Sequence, residues 1–165
     1  MRTRPVAQAI VLIALGVALA PFTSFPIGIA KINPTQHFIN VVGAVLLGPW
    51  WAVAIAAIIA ILRISMGVGT ILAFPGGMIG ALLAGLTYRY TRNIYLAAVG
   101  EVFGTGILAA IVSGLWVAPF LMHKTMSLSL LIASFLGSTV VGSILGVAAL
   151  KALEQAGITP QREAS

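Results

Sequence analysis

Residues 41–62 read VVGAVLLGPWWAVAIAAIIAIL, an apolar run broken once, by Gly48-Pro49. Whether this run is one kinked helix or two short ones decides the fold. A helix that crosses a bilayer needs roughly 20 predominantly apolar residues. Taken as one span over 38–62, the run makes five spans in the chain. Taken as two, at 37–48 and 50–66, it makes six, because further apolar runs fall at about 5–22, 73–88, 94–118 and 127–152.

That the solvent is lipid follows from composition. The chain of 165 residues is 60% hydrophobic and 7% charged, with a mean hydropathy of +1.11. Soluble domains carry about 25% charged residues, and this chain has too few to cover a surface in water. The opening MRTRPVAQAIVLIALGVALAPF has a basic start and an apolar run, as signal peptides do. The run is long for that role and more apolar segments follow, so it reads as a retained first helix.

Charge then chooses between five and six spans, since positive residues gather on the cytoplasmic side. With six spans and a cytoplasmic N-terminus, Arg2, Arg4, Arg89, Arg92, Lys151 and Arg162 lie inside, and Lys31, Arg63 and Lys124 lie on or near the outer side. With five spans the inner side keeps only Arg2, Arg4, Arg63 and Lys124. Six spans satisfies the rule, puts both termini in the cytoplasm, and seats Pro49 in a tight inner turn where its missing N–H costs least. The expected fold is therefore an all-α membrane protein: one six-helix domain over 1–152, followed by a short cytoplasmic tail, 153–165. The net charge of +6 comes from scattered residues and forms no nucleic-acid patch.

Small residues recur at every fourth position, which lets helix backbones approach closely. Ala73, Gly77, Ala81 and Gly85 form one such ladder; Gly106, Ala110, Gly114 and Ala118 another; Ser134, Ser138, Gly142 and Gly146 a third. Packing inside one bundle is the expectation for these. The face of the first helix bearing Ala7, Ala14 and Ala18 is the exception, suited to a partner subunit.

Glu101 lies nine residues after Arg92 and so about 13 Å into the membrane. An acid at that depth marks a pathway, a site or an internal ion pair. Two fates stay open for it, a ligand contact or a structural bond to Arg63 or a hydroxyl. In NPTQHFIN, residues 33–40, Asn33 or Thr35 suits a helix cap. His37 and Asn40, at i and i+3, share one helical face pointing into the bundle. Gln36 adds an amide. The outer loops add Phe74 in GVGTILAFPGG, Trp116, and His123 in PFLMHKTMS. Together these suit a pocket for a small, aromatic, mostly uncharged ligand.

Several chemistries are excluded. The chain has no cysteine, no HExxH, no Gly-rich phosphate loop and no Ser/His/Asp set. Neither an enzyme, a metal site nor a cofactor is expected, and without a P-loop the chain does not hydrolyse ATP by itself.

The turn LLGPWWA resembles the LGP turn of the substrate-binding S components of energy-coupling-factor (ECF) transporters. PTQHFINVVGAVLLGPWWA, GVGTILAFPGGMIGALLAGL and GEVFGTGILAAIVSG look more specifically like ThiW, a branch associated with hydroxyethylthiazole, the thiazole precursor of thiamine. The likeness runs over residues 5–152. It implies a six-helix S component in a bacterial or archaeal cell membrane, with the outer loop 23–36, carrying Phe25, Lys31 and Gln36, lidding an extracellular pocket. It also implies that an Ala-x-x-x-Ala face, here Ala14 and Ala18, docks the transmembrane coupling subunit (EcfT), and that two ATPase subunits supply the energy. An S component for thiamine or a pyrimidine precursor, or a membrane scaffold with no ligand, is the alternative.

Overall fold

The computed structural model describes residues 3–157. Arg2, Arg162 and the end of the expected tail lie outside them. The described residues form six helices: α1 (Thr3–Thr23), α2 (Pro34–Leu47), α3 (Pro49–Ser65), α4 (Ala73–Thr91), α5 (Ile94–Leu121) and α6 (Leu128–Gln155). Each expected run forms one of them, and α6 continues past residue 152 through the start of the expected tail.

The run that decides the fold does break. Gly48 takes φ 89°, a left-handed value that glycine adopts freely. Its N–H closes α2 on the Ala44 carbonyl at 3.1 Å. Pro49 then opens α3 at a first-turn position, where its fixed φ suits the helix and its absent N–H breaks no bond. Asn33, of the two expected caps, is the one that starts α2, its side chain accepting from the Gln36 N–H at 2.9 Å. Thr35 instead donates to the Thr23 hydroxyl at 2.9 Å, tying the start of α2 to the end of α1.

Three helices, α1, α5 and α6, are long and apolar enough to cross a membrane. The 14 residues of α2 reach only about 21 Å, α3 is apolar but has 17 residues, and α4 is diluted by glycines and ends in the polar stretch Thr87 to Thr91. The helices turn apolar side chains outward, among them Ile10 and Phe22 on α1, Val99 and Phe120 on α5, and Ile144 and Leu145 on α6. Glu101, Arg63, Asn40 and Gln36 are inside. A soluble protein reverses this distribution.

α2 packs against α6, α4 and α3, and α4 against α3 and α5. The ladders on α4 and α6 face these contacts, and the one on α5 faces Leu128, Leu131 and Leu136 of α6, as expected for packing inside one bundle. Gly142 is the tightest instance: a Cβ there would collide with the Pro34 carbonyl oxygen and come within 2.7 Å of the His37 Cβ. By contrast Ala7, Ala14 and Ala18 face outward from α1.

The segment between α1 and α2 is more ordered than a sequence reading supplies. Phe25–Ile27 (β1) and Ala30–Ile32 (β2) pair antiparallel, Phe25 opposite Ile32 and Ile27 opposite Ala30. Gly28, with φ 57°, makes the two-residue turn and lies against Met126, ahead of α6. Ala30 belongs to an apolar cluster with Leu72, Leu131 and Phe135, which roofs the bundle with the hairpin.

Candidate functional site

Beneath that hairpin, α2, α4 and α5 bring together a buried polar cluster. Gln36, His37 and Asn40 come from the first two turns of α2, held in register by the Asn33 cap. Glu101 and Thr105, one helical turn apart, come from α5, where regular α-helix gives way to a π-helical stretch, Gly104–Ala109. The wider π turn is a feature often found at functional sites.

Glu101 is fully buried, with three polar neighbours on one oxygen. Its Oε1 lies 2.9 Å from His37 Nδ1, 3.1 Å from Asn40 Nδ2 and 2.9 Å from Thr105 Oγ1. Asn40 uses both amide protons, one on Glu101 and one on the Gly77 carbonyl at 2.9 Å, while its own oxygen accepts from Gln36 Nε2 at 3.0 Å. Thr105 reaches the Gly76 carbonyl at 2.7 Å as well. The α2 amides thus bind α4 and α5 at once. Hydrogen bonds of this kind are how a carboxyl group is held in an apolar interior. Glu101 Oε2 has no partner and is turned toward Gly80, where a Cβ would stand 2.5 Å away.

A cavity sits beside this cluster. It is bounded by Ala30 to Asn33 of the hairpin strand and cap, Gln36 and His37 of α2, Arg63 of α3, Leu72, Ala73, Gly76 and Gly77 at the start of α4, Thr105, and Phe135 and Ser138 of α6. Its volume is about 30 Å³. That is room for one or two water molecules. Three buried atoms on residues of its wall have no hydrogen-bond partner: Gln36 Oε1, Arg63 Nε and Ser138 Oγ.

Four of the eight residues expected to bind a ligand, Gln36, His37, Asn40 and Glu101, fall in the polar cluster. Of these, Gln36 and His37 also line the cavity, and Arg63 joins them there. It makes no ion pair with Glu101; its Nη2 reaches only Ser24 Oγ, at 3.4 Å. The other three stand apart. Phe74 is half-buried in the first turn of α4 and outside the cavity wall. Trp116 is 70% exposed and packs on Phe120, with ring centroids 6.4 Å apart. His123 is exposed in the turn after α5. Thr105, Ser138 and Phe135 are site residues that the sequence reading does not single out. The i, i+4 spacing from Glu101 carries the signal for Thr105.

Two more hollows lie elsewhere. About 310 Å³ opens at the opposite end of the bundle, between Pro5, Trp51, Tyr88 and Arg92. About 480 Å³ lies in an apolar groove between Tyr95, Val99, Val140 and Ile144. Among the described residues no group of three or more His, Cys, Asp or Glu side chains could hold a metal.

No curated protein matches the chain. The family of the thiamine-precursor transporter protein, ThiW, matches it over residues 6–156, which takes in all of the cavity wall. An apolar-surfaced helical bundle with a buried polar cavity, matched over nearly its whole length, belongs to the ThiW family of thiamine-precursor transporters.

Proposed function

We propose that this chain is the substrate-capture subunit of an ECF-type importer and that its ligand is hydroxyethylthiazole. It would lie in the cell membrane with six spans and both termini in the cytoplasm, so that the hairpin end faces outward. The observation that supports this most is the buried cavity whose wall offers unpartnered polar atoms under a short hairpin. Such a wall suits a small ligand with an aromatic ring and one or two hydrogen-bonding groups. A scaffold subunit has no need of one.

Hydroxyethylthiazole has about nine heavy atoms, and the cavity holds one or two waters. The ligand therefore goes in only when the hairpin lifts off Leu72, Leu131 and Phe135. The hairpin is joined to the bundle by side-chain contacts, among them Lys31 on the Gly67 carbonyl and Arg63 on Ser24, so it can move without breaking a helix. The chain carries no phosphate-binding loop, so ATP-driven uptake would fall to a transmembrane coupling subunit (EcfT) docked on Ala14 and Ala18, with two ATPase subunits behind it.

Calorimetric titration of the detergent-solubilised subunit tests the assignment. Trp50, Trp51 and Trp116 all stand away from the cavity wall, so tryptophan fluorescence is a poor reporter here. Saturable heat with hydroxyethylthiazole, undisturbed by an equal concentration of thiamine, is the expected result. Heat with thiamine alone would keep the transporter and discard the ligand, and silence to both would favour another precursor or a scaffold.

A further inference from the structure

Arg63 stands out because nothing in the polar cluster uses it. It is 2% exposed, in the last turn of α3. Its Nε has no acceptor and its single side-chain contact, to Ser24, is long at 3.4 Å. No acidic group pairs with it among the described residues. A buried cation without a partner is costly, so its retention on a cavity wall calls for a ligand that supplies the missing acceptor. Lys31 lies on the same wall, its ammonium on the Gly67 carbonyl. Glu101, the only acid nearby, is outside the wall. Its Oε1 is occupied by His37, Asn40 and Thr105, and its Oε2 is turned to Gly80. The wall thus presents two cations and no acid.

Resting on the function proposed above, we infer that Arg63 is a specificity-determining residue, which selects a neutral ring bearing an acceptor nitrogen and rejects a ring with a fixed positive charge. The lone pair of a thiazole nitrogen accepts from Arg63 Nε–H. The hydroxyl of the side arm donates to Gln36 Oε1, and Ser138 can give or take at the third open position. Alkylation of the ring nitrogen, as in a thiazolium, removes the lone pair and adds a positive charge beside the guanidinium. Both changes act against binding, and like charges in a water-poor cavity repel strongly. The same small ring is therefore accepted before it is built into a thiazolium compound and refused afterwards.

The test uses calorimetry on the purified subunit with hydroxyethylthiazole and its N-methylated salt, which differ by one methyl group and one charge. Wild type is expected to bind the neutral ring about 100-fold more tightly than the salt. Arg63→Met, which keeps length and removes charge, is expected to weaken the neutral ring about 10-fold and bring the ratio below about 10. Arg63→Lys keeps the charge and is expected to keep most of the ratio, which provides a reading even if the Met variant does not fold. Thiazole binding by wild type with equal affinity for the salt overturns the role of Arg63 and leaves the proposed function standing. Full discrimination by a folded Arg63→Met does the same, as does its loss in a folded Arg63→Lys. No binding of the neutral ring by wild type overturns both.

Discussion

Asn40 joins three helices through one amide: α2 carries it, α4 supplies the Gly77 carbonyl, and α5 supplies Glu101. Its truncation leaves a carbonyl and a carboxyl oxygen short of a donor. Asn40→Ala and His37→Ala are each expected to weaken thiazole binding by about 1–3 kcal/mol, the usual penalty for an unmatched buried polar group. Titration of both variants checks this, and unchanged affinity in both would reduce the cluster to packing. Gly80 makes a separate test. A methyl group there would press on Glu101 Oε2 and on Thr105, so Gly80→Ala is expected to destabilise the fold by about 1–3 kcal/mol. A lowered thermal midpoint in detergent would register it, and an unchanged one would mean that α4 and α5 can separate slightly at no cost. His37 and Asn40 were legible in the sequence because helical spacing alone puts them on one face. Of the partners expected for Glu101, a hydroxyl is found in Thr105, at 2.9 Å, but Arg63 is not one of them. Charge suggests Arg63, yet the structure gives Glu101 to His37, because which helices are neighbours at that depth is a matter of packing.

Two elements carry expectations of their own. On α1, Ala14 and Ala18 face away from the bundle while Ala9, Leu12, Gly16 and Ala20 pack into it. Leucine at both alanines is expected to abolish uptake by the assembled importer and leave ligand binding by the solitary subunit unchanged, since the added bulk falls on the outward face only. Equal loss of uptake and binding would place these alanines in a role within the bundle. The face was readable from spacing in the sequence. Its outward orientation was not, for the buried ladders on α4, α5 and α6 have the same spacing. The hairpin was invisible for a different reason. Strands of three residues have too little pattern to stand out from a loop, and the contacts that hold them to the bundle, beneath Ala30 and from Lys31 to the Gly67 carbonyl, come from distant parts of the chain.

The molecule as a whole tests its topology easily, because the sequence has no cysteine. Single cysteines at Lys124, in the turn between α5 and α6, and at Arg92, between α4 and α5, lie at opposite ends of the bundle. In intact cells the Lys124→Cys variant is expected to react with a membrane-impermeant maleimide, and Arg92→Cys only after lysis. The reverse pattern would invert the molecule and put the hairpin on the cytoplasmic side.

By itself the sequence determined the solvent, the number of helices and the break at Gly48-Pro49. These follow from composition, from run lengths and from the backbone limits of two residues, none of which needs a distant contact. It also put His37 and Asn40 on one helical face, because i and i+3 neighbours share a face in any helix. Only the tertiary structure decided that Glu101 bonds to His37, Asn40 and Thr105, that Arg63 on the cavity wall is left with no acceptor for its Nε, and that Trp116 and His123 stand apart from it. Those outcomes depend on which helix lies against which, and small residues repeated every four positions allow many such pairings.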